Sequence, residues 1–149
     1  MSYDLTFVPR AAGQPWDDAL EAAEEHIGEV PADPAAWAAI LSAAREALGD
    51  VDVHRDDDGF DLTHEATGIQ ASYDGRAAAI SVPYWYTGAG AASIVGRLYA
   101  LGDAVERATG LSGFDPQVEL ALAEAAAKPE LAVAAFESVA SALAGGQPA

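Results

Sequence analysis

A two-layer α+β fold, with α-helices packed on one face of an antiparallel β-meander of about four to five strands, is predicted by three observations. Residues 51–84 alternate apolar and polar side chains with period two, in short runs separated by glycine-containing turns. The segments on either side carry apolar residues at helical spacing instead. Half of the composition is hydrophobic, and within 149 residues there is no internal repeat and no long linker, so residues 1–149 are read as one domain.

Each element has its own signal. Tyr3, Leu5 and Phe7 alternate with Asp4 and Thr6, giving a strand that Pro9 ends. Gly13 and Pro15 open a helix whose Trp16, Ala19, Leu20, Ala23 and Ile27 share a stripe, with Gly28 at its end. Asp33 is an N-cap with Pro34 in the first turn, and Trp37, Ile40, Leu41, Ala44 and Leu48 form the stripe that Gly49 terminates. In the meander, pairing across "EATG" sets Leu62 against Ala71 and Phe60 against Tyr73. A tight turn at Asp74-Gly75 sets Ile69 against Ile80 and Ala71 against Ala78, so that the apolar side chains gather on one face. Another helix carries Ile94, Leu98, Leu101 and Val105 and is capped by Thr109-Gly110-Leu111. "LSGF" is a short strand. Asp115-Pro116 starts a further helix, interrupted at Lys128-Pro129, and residues 142–149 are a frayed tail.

Charge narrows the function classes. With 24 acidic and 7 basic residues the net charge is −17. Such a surface repels phosphate backbones and anionic lipids, which disfavours nucleic-acid binding, and it attracts basic proteins and cations. No run approaches the roughly 18 apolar residues of a membrane span, and "MSYDLTFVPR" lacks the charge and apolar pattern of a signal peptide. The expected location is cytoplasmic. Absence of cysteine removes disulfides, thiolate ligands and thiol nucleophiles.

Several stretches invite a chemical reading. "HRDDDGFDLTHE" places Asp56, Asp58, Gly59 and Glu65 at positions of a calcium loop, but His54 stands at the first ligand position and the flanks read as strands. A plain turn fits better. If residues 56–59 form it, His54 faces Asp61 and Asp52 faces Thr63, with no clash of like charges. "GAGAAS" places Gly88, Gly90 and Ser93 between a strand and a helix with Arg97 one turn on, a degenerate phosphate-binding loop that, with His64, defines an alternative ligand site. Tyr84 and Tyr86 face one way along the chain and Trp85 the other, so at least one ring should reach the surface. No serine sits in a nucleophile elbow and no histidine pair has metal-ligand spacing. No catalytic residue, metal or cofactor is assigned.

The opening Met1-x-Tyr3-Asp4-Leu5, and Thr109-Gly110-Leu111 followed by Phe114-Asp115-Pro116-Gln117, resemble patterns of a loose group of small acidic bacterial proteins. Many of these are uncharacterised, and some are thought to be immunity proteins for secreted toxins. The alanine-rich stretch after Gln117 is longer than in that group. The resemblance implies a non-enzymatic α+β binder that blocks a basic partner, and it transfers no binding residues. The expected function is association with a basic macromolecule through Asp52, His54, Asp56 and Asp61 on the meander and Tyr84, Trp85 and Tyr86 beside it. The alternatives are a small-molecule or cation-binding protein or enzyme using the Gly88–Ser93 segment, and a homo-oligomer that buries the exposed sheet or the tail helix in a symmetric interface.

Overall fold

The structure, a computed structural model, describes residues 2–25, 31–57 and 59–145. Ile27 and Gly28, Asp58 and the last four residues of the anticipated tail lie outside the described residues. In chain order the elements are β1 (Ser2–Val8), α1 (Trp16–Glu25), α2 (Pro34–Leu48), β2 (Asp52–Arg55), β3 (Phe60–His64), β4 (Ile69–Tyr73) and β5 (Ala78–Pro83). There follow α3 (Gly88–Thr109), β6 (Ser112–Asp115), β7 (Leu120–Ala121), α4 (Leu122–Ala127) and α5 (Pro129–Gly145). The fold class is the expected α+β. Among the described residues no helix is long and apolar enough to cross a membrane.

The strands form one antiparallel sheet in the order β2-β3-β4-β5-β1-β6-β7, which is larger than the four or five strands the meander alone predicts. The difference comes from β1. Its two hydrogen-bonding edges are both used, by β5 on one side and β6 on the other, so the N-terminal strand becomes the join between the meander and the C-terminal hairpin. Tyr3, Leu5 and Phe7 point inward and are completely buried. They meet Leu62, Ile69, Ile80 and Val82 from the meander and Ile94, Val95, Leu98 and Val105 from α3 in one core. Trp37 of α2 stacks on Phe60 at 5.2 Å, and Phe136 of α5 stacks on Tyr3 at the same separation. The inner face is thus roofed by α2, α3, α4 and α5.

Helix α1 is the exception to packing on one face. Val8 follows the inward-pointing Phe7 and so points the other way. Together with Ala19 and Ala23 it forms a second, separate buried cluster, flanked by Trp16 and Leu20. Trp16 meets Phe114, whose neighbours Gly113 and Asp115 point inward, at a ring separation of 4.7 Å. The Arg10 guanidinium closes over the other part of the indole at 4.4 Å. Helix α1 therefore covers the outer face, but only over β1 and β6.

Local rules account for most boundaries. The Asp33 carboxylate accepts from the Ala35 N–H at 3.0 Å as an N-cap, and Gly49 and Gly110 end α2 and α3. The β2–β3 turn takes the four-residue form, with His54 opposite Asp61 and Asp52 opposite Thr63. Two expectations are corrected. The β4–β5 turn is longer than Asp74-Gly75: Ala71 pairs with Ile80 and Tyr73 with Ala78. Asp74 Oδ1 accepts from the N–H groups of Arg76 and Ala77, which stabilises a four-residue loop, and a shift of two residues keeps every side chain on its original face. Asp115-Pro116 does not start a helix either. Asp115 ends β6, residues 116–119 turn back with Glu119 at φ 55°, and β7 precedes the helix. Helix α5 continues to Gly145.

Candidate interaction surface

The two sequence patterns that carry the resemblance, more than a hundred residues apart, meet in the folded chain. Asp115 is fully buried, and its Oδ2 accepts hydrogen bonds from the Tyr3 hydroxyl at 2.5 Å and the Tyr99 hydroxyl at 2.6 Å. Its Oδ1 accepts from the backbone and side-chain N–H groups of Gln117 at 3.0 and 3.1 Å. The same Gln117 amide pairs with the backbone of Asp4, accepting from its N–H and donating to its carbonyl at 2.8 Å. A side chain thereby extends the β1–β6 ladder where the strand itself has turned away. Burial and the hydrogen bonds to Asp115 hold the Tyr3 and Tyr99 hydroxyls in their neutral form, with pKa values well above the ordinary tyrosine value. Both carboxylate oxygens are satisfied by the chain's own donors. This is a structural knot with no opening for a substrate.

The outer face of the sheet is different. From β2 to β1, one row of outward positions runs Asp52, Thr63, Gln70, Ser81 and Asp4, and the next runs His54, Asp61, Ser72, Ala79 and Thr6. Among the described residues no helix lies on it short of β1. The surface is open, with two adjoining shallow depressions of about 320 Å³ each. Thr63, Gln70, Ser72 and Ser81 floor the first, while Asp56, Gly59 and Asp74 close the end of the second. Asp56 Oδ1 accepts from the Gly59 N–H, which fixes the β2–β3 turn and holds this acidic corner in place.

The aromatic segment divides as alternation predicts. Tyr84 and Tyr86 turn inward to Phe136, with ring separations of 5.0 and 6.4 Å, and burial raises the pKa of both. Trp85 stays 67% exposed. Its place follows from Gly68, where a Cβ would meet the Pro83 ring at 2.8 Å and Trp85 Cζ3 at 2.9 Å. Pro83 is the next outward position on β5 after Ser81, so the indole lies over the outer side of the sheet at its β3–β4 end. Thr67 anchors this corner: its carbonyl accepts from the Tyr86 hydroxyl at 2.6 Å, and its hydroxyl lies 2.7 Å from His64 Nδ1. Of the seven residues expected to contact a partner, Asp52, His54, Asp56, Asp61 and Trp85 come to one side of the molecule, whereas Tyr84 and Tyr86 pack inward on Phe136. Thr63, Gln70, Ser72 and Ser81 complete the surface. Their signal in the sequence was only that they alternate with buried residues.

The glycine segment takes another form. Gly88, Gly90 and Ser93 are not a loop but the opening turns of α3, and Ser93 and Arg97 are exposed. The N–H of Gly88 donates to Glu137 Oε1 of α5 at 2.5 Å, so a carboxylate of the chain itself occupies the position an anion would take. His64 lies beside the β3–β4 turn, where it adjoins Asp50, Asp52 and Glu65 instead of this helix start. Asp56, opposite Gly59, and Glu65 lie beyond opposite ends of β3, roughly 20 Å apart at strand rise, so the calcium-loop spacing does not bring them together. Among the described residues no group of three or more carboxylate or imidazole side chains converges to hold a metal ion.

Comparison with protein-family models, curated proteins and solved structures finds no match for this chain.

Proposed function

We propose that this protein is a non-enzymatic binding module that associates with a basic macromolecular partner, in the manner of an inhibitor or immunity protein, through the outer face of β2–β5. The observation that carries the reading is selective coverage. The inner face and the outer face over β1 and β6 are both roofed by helices, whereas none of the described helices covers the outer face of the meander, which is bordered by Asp52, Asp56, Asp61 and Asp74. A surface of this sign speeds encounter with a basic protein at low salt, and the exposed Trp85 supplies an apolar anchor at its end. The surface is broad and shallow, which suits a macromolecule better than a small ligand.

The test is a pull-down from the source lysate with the tagged protein, washed at low and then high salt, followed by reconstitution with the purified candidate. A basic protein that is released by salt and forms a one-to-one complex is expected. Its binding should weaken when Asp52, Asp56 and Asp61 are together changed to Asn. A complex indifferent to that triple change, or an acidic or neutral partner, defeats the assignment to this face.

A further inference from the structure

We propose that the free edge of β2 is where the partner enters: an extended basic segment of the partner protein adds to the sheet as an eighth strand alongside Asp52–Arg55. The proposal rests on the binding reading above and says how that binding is made.

Strand β2 is the edge of the sheet, and all four of its residues are exposed. Which of its backbone groups are free follows from the turn. The Asp56 N–H donates to the Gly59 carbonyl at 3.0 Å, so residues 56 and 59 form a hydrogen-bonded pair. In an antiparallel ladder such pairs alternate. The backbones of His54 and Asp52 therefore face Asp61 and Thr63, while the N–H and C=O groups of Val53 and Arg55 point away from the sheet. These groups are the donors and acceptors that an added strand pairs with.

The side chains state what the strand should look like. Asp52 and His54 lie on the outer face, with Asp61 behind His54, so the outward residues of the incoming segment stand beside one carboxylate and within one strand of a second, and should be lysine or arginine. The intervening residues stand on the inner side, beside Val53. That valine is 43% exposed although it shares its row with the fully buried Leu62 and Ile80, because the described helices leave β2 uncovered. An apolar residue placed there covers it. Arg55 is held back over the Phe60 ring at 5.3 Å and leaves the edge accessible. A second copy of this chain is a poorer occupant, since each copy brings a net charge of −17.

The probe is a terminally blocked peptide of alternating lysine and valine, titrated into the full chain at low salt. It is compared with the same peptide N-methylated at alternate residues, which keeps the charge and removes the strand donors. The unmethylated peptide is expected to bind at least about tenfold more tightly, as loss of two net hydrogen bonds implies. It should slow hydrogen exchange at the Val53 and Arg55 amides. Val53→Pro removes the outward N–H without touching the β3 ladder, and proline is tolerated on edges, so this variant should lose the preference between the two peptides. Should the variant fold poorly, the methylated peptide on the unaltered chain decides alone. Equal binding of both peptides overturns strand addition while leaving attraction of basic partners standing. No binding of either at low salt overturns both. Concentration-dependent dimerisation that Val53→Pro abolishes, in the absence of peptide, assigns the edge to a second copy and likewise overturns the proposal.

Discussion

The two ends of the sheet obey opposite rules. At β1 and β6 both faces are covered, by α3 and α4 within and α1 without, and polar groups are admitted only when every atom is paired, as at Asp115. At β2 neither face is covered, and Asp52, Val53, His54 and Arg55 all meet solvent. The strands between pass from one regime to the other, with the same inward alternation of apolar residues throughout. The difference teaches that period-two patterning decides which face of a strand is buried but not how much of the other face is left to a partner. Among the described residues, coverage of the outer face depends on one short helix, and its reach ends at β1.

The sharpest way to break the comparison is at the covered end. Asp115→Ala leaves the buried hydroxyls of Tyr3 and Tyr99 with only each other, 3.3 Å apart, and removes the acceptor of the Gln117 backbone N–H, and it is expected to destabilise by about 3–5 kcal/mol in denaturant unfolding. A loss under about 1 kcal/mol would mean that the knot is ornamental and that the two ends differ only in burial.

Alkaline pH probes the same knot. The folded chain holds the Tyr3 and Tyr99 protons more tightly than the unfolded chain does, because the pKa of each is raised on folding. Their contribution is therefore complete below about pH 10 and falls as pH rises above it, by roughly 1.4 kcal/mol per pH unit for each tyrosine. Tyr3→Phe should flatten that decline, as followed by urea midpoints at stepped pH. Parallel slopes for the two proteins would remove Tyr3 from the account.

Gly113 tests how closely the covered end is packed. A Cβ there would lie 2.9 Å from the Phe7 ring and 3.0 Å from Leu122, so Gly113→Ala should cost about 1–3 kcal/mol. A thermal scan in which the midpoint does not move contradicts the close approach of β6 to these side chains. The smallest effect belongs to the bare face. Ser72→Ala, in the middle of the outer surface, should shift stability by less than about 0.5 kcal/mol. A larger loss would show that this surface is part of the fold's support, which would sharpen the contrast in the opposite direction.

Much of the local structure is legible in the amino-acid order. The strand at Tyr3–Phe7, the Asp33-Pro34 helix start, the Gly110 stop and the four-residue turn at 56–59 all follow from short-range signals, because caps and turns are decided by a few neighbouring residues. The four-residue loop at Asp74–Ala77 escaped, since an aspartate side chain competes with the two-residue turn that Asp-Gly favours and both choices keep the faces intact. Asp115-Pro116 was misleading for a related reason: Asp-Pro is a good helix start, and what overrides it is the long-range partnership with Tyr3 and Tyr99.

The candidate surface was legible only in part. Asp52, His54, Asp56 and Asp61 announce themselves by charge, and Trp85 by its place between two tyrosines. The role of Gly68 as the seat of the indole, and that of Thr67 as its anchor, depend on the β3–β4 turn meeting the end of β5, which spacing does not encode.

By itself the sequence determined the class of the fold, the inward faces of its strands, most of the helix ends and the acidic character of the surface. These follow from alternation, caps and net charge, all of which are local or additive. Only the tertiary structure decided that β1 is an interior strand of a seven-stranded sheet, that α1 crosses to the other side, and that Asp115 is tied to Tyr3. Each of these is a contact between residues far apart in the chain, made by filling space and pairing buried polar groups. No short stretch of sequence contains both partners.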